Sequence, residues 1–209
     1  MVKLDELELL RDGVVKLDVE CSELQFEKLL NYKELLVKWN KVYSLTAITK
    51  SREIIIQHLL DGLSVVNNFP LHGSILDVGS GMGVPGVILA IMRPEQNVVV
   101  IDSNTKKCAF LLQAKIELQL VNLTVISKRV EDYKPEDKFQ VITSRAFADL
   151  TLFVQLTKHL LADNGFYLAM KGEQGVLELV KLNNWLGQVI ELSVPNLVAQ
   201  RFLIKMVRK

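Results

Sequence analysis

The amino-acid sequence predicts an α/β fold built on a mostly parallel, seven-stranded sheet with helices on both faces. From about residue 74 onward, short apolar runs alternate with segments whose apolar residues recur at the period of a helix. The last two apolar runs have no helical segment between them, which predicts an antiparallel C-terminal edge. We therefore expect a single domain over residues 1–209, with 1–65 as an N-terminal helical extension and 70–209 as the core.

The N-terminal extension is predicted to contain three helices. Apolar residues over positions 4–17 step by three or four, which predicts an amphipathic helix that is broken near Gly13. Ser22 is followed three residues later by Gln25, which is the spacing of a capping box, so a second, longer helix is expected to begin there. A short third helix is expected over residues 53–60.

The core is predicted to alternate strands and helices. A turn at Asn164 and Gly165 is expected to precede the fifth strand, and Pro195 marks the break between the last two. A six-stranded parallel dinucleotide fold would need one more crossover helix than this tail supplies, so we expect a different Rossmann-like sheet. In chain order the expected elements are a strand at about 74–78, a helix at 84–92, a strand at 97–102, a helix at 104–120, strands at 123–126 and 139–143, a helix at 149–161, a strand at 166–170, a helix at 174–184, and strands at 187–194 and 201–207.

The composition favours a cytoplasmic protein. The chain has 209 residues, 49% of them hydrophobic, and a net charge of +1. No apolar run is long enough to span a bilayer, and the N-terminus lacks the apolar core of a signal peptide. The two cysteines, Cys21 and Cys108, are far apart and lack metal-ligand spacing. We expect no metal and no membrane association, and a monomer is favoured over an oligomer.

The near-neutral net charge hides a basic segment in the N-terminal extension. Residues 28–52 carry six lysine or arginine side chains and a single acid, Glu34. Such a segment can contact RNA phosphates, or it can be a solvated helix face without a partner. Both interpretations stay open at this level.

The stretch from Asp77 to Gly86 predicts a strand, a glycine-rich turn and the start of a helix. Glycines let the backbone approach a ligand closely, and the helix start presents free N–H groups. The glycine that directly follows the strand is Gly79, and the dinucleotide pattern counted from Gly79 and Gly81 reaches Val84 where it requires glycine. Asp77 suits a cationic amino group better than a pyrophosphate. The turn therefore favours S-adenosylmethionine (SAM) over NAD, with a turn that binds no ligand as the remaining alternative.

Polar residues follow the other predicted strands, at the sheet edge where ligands of open α/β sheets bind. Asp102 ends the second strand and is placed to accept hydrogen bonds from ribose hydroxyls. Val130 and Glu131 follow the third strand and are placed to frame an adenine. Arg145 ends the fourth strand, and Lys171 ends the fifth. With the C-terminal hairpin, these strand ends predict the sheet of a class I SAM-dependent methyltransferase.

Five motifs together resemble a known family. The sequence resembles the bacterial small-subunit rRNA guanine 7-methyltransferases, the RsmG family, which is also called glucose-inhibited division protein B. The resemblance extends from about residue 20 to the last predicted strand, and the glycine-rich turn combined with Ser-Arg-Ala-Phe-Ala is its most specific part. The motifs are Trp39-Asn40-Lys41, His58-Leu59-Leu60-Asp61, Asp77-Val78-Gly79-Ser80-Gly81-Met82-Gly83-Val84-Pro85-Gly86, Ser144-Arg145-Ala146-Phe147-Ala148 and Lys171-Gly172.

The resemblance implies methylation of ring nitrogen 7 of a guanine in the decoding-region loop of 16S rRNA. It implies SAM as the methyl donor, and 16S rRNA or the small ribosomal subunit as the partner. The SAM contacts that it implies are Gly79, Val84, Val130, Glu131 and Arg145. The substrate-side or catalytic positions that it implies are His58, Arg145 and Lys171.

Two residues depart from the family pattern. Ser44 stands where the family has the asparagine of Asn-Leu-Thr, and Gly62 stands where it has a serine after the aspartate. Neither change touches the cofactor turn, so both bear on the substrate side alone.

The expected chemistry needs no general base, because nitrogen 7 of guanine has a lone pair and no proton. Arg145 cannot act as a base at neutral pH, so we expect it to orient the cofactor carboxylate, the guanine carbonyl oxygen or a phosphate. Three alternatives remain. The first is a SAM-dependent methyltransferase for another RNA or a small molecule, and the second is a non-catalytic SAM or nucleotide sensor that binds RNA. The third, further behind, is an NAD enzyme.

Overall fold

Seven strands form one sheet in the computed structural model, which describes residues 2–209 and the side chains of residues 4–209. Met1, the first residue of the expected domain, lies outside the described residues. The strands are β1 (Ile75–Val78), β2 (Val98–Asp102), β3 (Leu123–Ser127), β4 (Phe139–Arg145), β5 (Leu161–Lys171), β6 (Trp185–Leu192) and β7 (Arg201–Arg208). Their order is β3-β2-β1-β4-β5-β7-β6, in which β1 to β5 are parallel and β7 is antiparallel to both neighbours. The predicted parallel sheet with an antiparallel C-terminal edge is confirmed.

The helices are α1 (Val2–Lys16), α2 (Glu23–Tyr43), α3 (Ser51–Ile54), a π-helical turn (Ile55–Leu60), α4 (Asp61–Leu63), α5 (Gly86–Met92), α6 (Thr105–Glu117), α7 (Leu150–Thr157) and α8 (Glu173–Glu178), with 3-10 turns at Val66–Asn68, Val130–Asp132 and Leu179–Lys181. Successive strand residues point to opposite faces of the sheet and enter two separate hydrophobic clusters. Ile75 joins the cluster that also contains α1, α2, α5 and most of α6, whereas Leu76 joins the cluster that contains α7.

The helices of the N-terminal extension pack directly on the core. The expected capping box at the start of α2 is present, because the Ser22 hydroxyl accepts a hydrogen bond from Gln25 N–H and the Gln25 side chain accepts one from Ser22 N–H. The Gln25 amide also donates to the carbonyls of Ile91 and Met92, at 3.3 Å each. One side chain therefore starts α2 and ties it to the end of α5.

Two helix predictions in the extension were wrong in detail. Helix α1 continues through Gly13 without a break. The glycine instead allows close packing, since a Cβ added there would lie 2.4 Å from the Leu60 side chain. The predicted helix over 53–60 is longer, because α3 and α4 are joined by the π-helical turn into one helical segment. Such turns are rare and occur often at functional sites.

The boundary between α7 and β5 also differs from the expectation. Helix α7 ends at Thr157, and β5 already begins at Leu161, where Leu161 pairs with Phe139. Asn164 and Gly165 lie inside this strand at an irregularity in its register rather than before it. The start of β5 is set by its pairing with β4, which is distant in the chain. The local hydrophobic periodicity of the sequence contains no information about this pairing.

Replacement of Ser22 tests the role of the capping box. Ser22→Ala removes the side-chain acceptor, and we expect the free energy of unfolding to fall by about 1 kcal/mol. Ser22→Asp keeps an acceptor and should remain close to the wild type. Urea unfolding followed by circular dichroism measures both, and equal stability of the two variants would contradict the assignment.

Candidate active site

The candidate active site lies beyond the carboxyl ends of β1 and β4, where the strand order reverses. Two adjoining cavities of about 320 and 390 Å³ open there, and Gly79, Lys107 and Ala146 line both of them. These volumes are in the range of small-molecule pockets. The two cavities together form one cleft along this edge of the sheet.

The glycine-rich turn after β1 presents bare backbone to the cleft. Gly79, Gly81 and Gly83 have φ angles of 64°, 58° and 98°, which lie in the left-handed region that favours glycine. The turn is held from behind by α2, because the buried Tyr32 hydroxyl donates a hydrogen bond to the Met82 carbonyl at 2.5 Å. The backbone shape that a close-approaching ligand needs is therefore fixed by tertiary contacts.

Four of the predicted cofactor residues, Gly79, Asp102, Val130 and Glu131, line the first cavity. The Asp102 carboxylate accepts two backbone hydrogen bonds. One oxygen accepts from the Gly81 N–H at 3.0 Å, and the other accepts from the Asn104 N–H at 2.8 Å. Asp102 thus links the end of β2 to the glycine-rich turn. Each of its oxygens can accept a further hydrogen bond, because a carboxylate oxygen has two lone pairs.

The second cavity is lined by Gly81, Val84, Arg145 and Lys171 among the predicted residues. Arg145 is held firmly, because its Nη1 donates to the Asp61 Oδ2 at 2.9 Å and to the Gln57 carbonyl at 3.0 Å. The fully buried Asp61 carboxylate also accepts a hydrogen bond from Arg201 Nε at 3.2 Å. Sequence reasoning missed Arg201 altogether and gave Asp61 no role of its own, although Asp61 stood in a quoted motif.

His58 lines neither cavity and is only 4% exposed. Its Nε2 is 2.9 Å from the Thr46 hydroxyl, its Nδ1 is 2.9 Å from the Gln57 carbonyl, and Nδ1 is 3.3 Å from Arg145 Nη2. Burial, and then the charge of Arg145, lower the pKa of His58 to about 4. His58 is therefore neutral at neutral pH and lies behind Arg145.

Asp77 is fully buried beneath the turn and lines neither cavity. Its Oδ2 accepts the Gly86 N–H at 3.0 Å, and its buried Oδ1 has no hydrogen-bond partner among the residues that the structure describes. Burial raises the pKa of this carboxyl to about 7. Contact between Asp77 and the amino group of a ligand stays a prediction, and its visible contact is with the start of α5.

Lys171 reaches from the end of β5 toward the start of α7. Its ammonium donates to the Ala148 carbonyl at 2.5 Å and to Glu178 Oε2 at 2.9 Å. Glu178 accepts the Leu150 N–H through the same oxygen, at 2.8 Å. The side chain of Lys171 therefore borders the second cavity while its charge is paired with an acid of α8.

The basic segment of the N-terminal extension is not a uniform charged face. Lys33 is buried and pairs with Glu6 at 2.6 Å, so it is withdrawn from the surface. Lys38 and Lys41 are exposed. The hypothesis that this segment contacts RNA therefore concerns fewer side chains than the sequence suggested.

Two kinds of feature are absent from the part of the chain that the structure describes. No group of three or more histidine, cysteine, aspartate or glutamate side chains in the described part of the chain is arranged to hold a metal ion. No helix there is both long and apolar enough to cross a membrane.

The strand order, the glycine-rich turn and the cleft at the switch point define a class I SAM-dependent methyltransferase fold. A solved DhpI–SAH complex has this fold, with a TM-score of 0.58 and 11% identity, covering 90% of this chain and 98% of that one. The family model of GidB, rRNA small subunit methyltransferase G, matches residues 25–204. The chain belongs to this family, which confirms the resemblance seen in the sequence.

Two close relatives are both described as ribosomal RNA small subunit methyltransferase G. The protein from Methylobacillus flagellatus is 47% identical over 93% of this chain and 95% of its own length. The protein from Chromobacterium violaceum is 47% identical over 95% of this chain and 96% of its own length. The similarity therefore extends over most of the chain, and the family model matches both α2 from residue 25 onward and the sheet.

The raised pKa of Asp77 predicts a dependence of stability on pH. Its pKa is about 7 in the folded chain against 3.8 for a free group, so the folded state holds a proton that the unfolded state releases. The corresponding stabilisation is complete below about pH 4 and is lost as the pH rises through about 7. Compared with Asp77→Asn, which cannot ionise, the wild type should lose up to about 1.4 kcal/mol per pH unit within this window.

Urea unfolding of both proteins at several pH values between about 5 and 8 measures this difference. Other titrating groups cancel in the comparison, because both proteins carry them. A constant difference between the two proteins across the range would show that Asp77 titrates like an exposed carboxyl.

Proposed function

We propose that this chain transfers the methyl group of SAM to ring nitrogen 7 of a guanine in the 16S rRNA of the small ribosomal subunit, in the cytoplasm. The observation that carries the proposal is the pair of adjoining cavities that meet at Gly79. One is lined by an acid and bare backbone, and the other by a fixed arginine. Membership of the family supports RNA as the substrate.

The first cavity has the groups that an adenosine requires. The Asp102 carboxylate is already oriented by two backbone N–H groups and retains lone pairs for ribose hydroxyls. Val130 and Glu131 would flank the adenine, and Gly79 would let the nucleoside approach the backbone. SAM, when bound, supplies a methyl carbon that its sulfonium has already activated. The residues present fit this cofactor.

The second cavity would hold the methionine portion and the guanine. Gly81 and Val84 would border the cofactor, and Arg145 would face the reacting groups. Because nitrogen 7 carries no proton, the chain has only to position the base and stabilise the charge that moves onto it. The usual grip of arginine on guanine uses nitrogen 7 as an acceptor and is excluded here, since it would block the nucleophile. Arg145 would therefore bind the guanine carbonyl oxygen, a phosphate or the cofactor carboxylate.

The groups around Arg145 would act by holding it in place. Asp61 and the Gln57 carbonyl fix two of its N–H groups. His58, which is neutral, fills the space behind the guanidinium without adding a second positive charge. Lys171 is paired with Glu178 and lines the second cavity together with Arg145. It would help to form this wall of the cavity and would not transfer a proton.

We also propose that the N-terminal helices and the sheet form one domain. Tyr32 of α2 supports the cofactor turn, and Asp61 at the start of α4 binds the arginine that ends β4. The extension would thus complete the cleft, and the core alone would lack part of it.

Binding of the cofactor is the first test. Calorimetry should show binding of SAM and of its demethylated product, and no binding of NAD. Gly79→Val should abolish SAM binding, because a Cβ at position 79 would lie 2.4 Å from the Phe147 ring and the φ of 64° disfavours a branched residue. A circular dichroism spectrum like that of the wild type would show that the variant is folded. Tight binding of NAD without binding of SAM would overturn the proposal.

The rate of methylation is the second test. Under single-turnover conditions on small-subunit rRNA, with 7-methylguanosine as the product measured, the rate should stay flat between about pH 6.5 and 9. The reason is that an arginine side chain keeps its charge at these pH values, that the pKa of His58 is lowered to about 4, and that Asp77, whose pKa is raised to about 7, lines neither cavity. Arg145→Lys keeps the charge but loses the planar fork, and we expect a loss of about ten-fold or more, equivalent to about 1.4 kcal/mol.

Two further variants identify any group that titrates. A steep rise with a midpoint near neutrality that disappears in His58→Ala would show a titrating base and end the positioning mechanism. A rise that persists in His58→Ala and disappears in Asp77→Asn would instead assign the titration to the carboxyl under the turn.

A further inference from the structure

Two aromatic side chains of α2, Trp39 and Tyr43, line neither cavity of the cleft and have no role in the cofactor contacts described above. We propose that they form a stacking platform for an unpaired RNA nucleotide next to the methylated guanine. The inference rests on the proposed function, since it takes RNA as the substrate, and it adds the surface that would hold the strand.

The two rings are in contact and are supported from below. Their centroids are 5.1 Å apart with an interplanar angle of 33°. Trp39 also meets the fully buried ring of Phe110 edge-on, at 5.8 Å. Tyr43 is the last residue of α2 and is 42% exposed. The pair is therefore anchored at one end and open to solvent at the other.

The platform lies next to two walls of the cleft. Leu45, two residues after Tyr43, lines the second cavity. Lys107, one helical turn before Phe110 on α6, lines both cavities. Because Trp39 contacts Phe110, the ring pair is placed near both of these wall residues.

The charge around the rings matches a polyanion. Lys106, at the start of α6, is exposed and lies one turn before Phe110 on the same side of that helix. The ammonium of Lys107, which lies 3.8 Å from a carboxylate oxygen of Asp102, is partly exposed at the rim of both cavities. Proteins that bind single-stranded nucleic acid combine aromatic rings for the bases with cations for the phosphates. An apolar protein partner would gain nothing from these lysines.

The chemistry supplies a reason for a stacking surface. A guanine that enters the second cavity leaves its stack, so a neighbouring base loses one of its stacking partners. An aromatic ring at the lip of the cleft can replace that partner without selecting a particular base, because every base has a π face. The platform would thus lower the free energy that is needed to move the target guanine out of its stack in the RNA loop.

Affinity for a short single strand tests the platform without any turnover. The probe is an oligoadenylate of about ten nucleotides, titrated at low salt. The reporter is the fluorescence of Trp39 in a Trp185→Phe background, which removes the other tryptophan. We expect the wild type to bind with quenching of Trp39, and Tyr43→Leu to bind about ten-fold more weakly or worse. Tyr43→Phe should keep the ring and the affinity.

Two controls separate stacking from packing. Val42→Ala removes exposed apolar surface from the same turn without removing a ring, and it should bind the probe like the wild type. Thermal unfolding of each variant shows whether the fold is intact. An unchanged affinity in Tyr43→Leu, or a wild type that does not bind the probe, would overturn the platform.

Methylation by the same proteins distinguishes the two proposals. The first informative outcome is that the wild type methylates small-subunit rRNA and that Tyr43→Leu reaches half of its maximal rate at the same RNA concentration. This result would contradict the platform and leave the proposed enzyme function standing. The second informative outcome is that the wild type binds the probe through Tyr43 but does not methylate rRNA. This result would contradict the proposed enzyme function and leave the proposed RNA-binding surface standing.

Discussion

The architecture of the cleft depends on one buried carboxylate, that of Asp61. Arg145 from the end of β4 and Arg201 from the start of β7 both bind it, through different oxygens. A buried charge is tolerated only where such partners compensate for the lost solvation, and removal of one partner leaves the others uncompensated. Asp61 therefore joins the N-terminal helices to two strands of the sheet at the wall of the second cavity, which all three residues line.

The glycine-rich turn is held by hydrogen bonds from three other directions. From α2, Tyr32 binds the carbonyl of Met82, and from the end of β2, Asp102 binds the N–H of Gly81. Beneath it, Asp77 receives the N–H of Gly86. A turn that is fixed before the ligand arrives loses little conformational freedom on binding, which is how a preorganised site contributes to affinity and rate.

The electrostatics of the cleft suit a reaction without a proton transfer. His58 has the residue type of a general base, yet burial and the neighbouring guanidinium keep it neutral. Lys171 is paired with Glu178, and Arg145 with Asp61. These groups therefore offer held positions and the guanidinium charge of Arg145, which is what the proposed methyl transfer to a ring nitrogen with a free lone pair would need.

Much of the fold was determined by local patterns in the sequence. Strands, most helices and the turn were predictable, because hydrophobic periodicity and glycine placement act over a few residues. The residues Gly79, Asp102, Val130 and Glu131 could be placed in one site, since parallel strands bring their carboxyl ends to the same edge.

The tertiary structure alone decided the contacts between segments that are far apart in the chain. Arg201 meets Asp61 only because β7 inserts next to β5, and the sequence does not report that order. The glycine at position 13 predicts a helix break from local sequence alone. In the structure it lies inside α1 and allows the Leu60 side chain to pack closely against the helix. Lys171 ends a strand like a site residue, and its partner Glu178 is set by how α8 folds back. Such pairings depend on strand order and packing, and the free energies that select them arise only when the whole chain is folded.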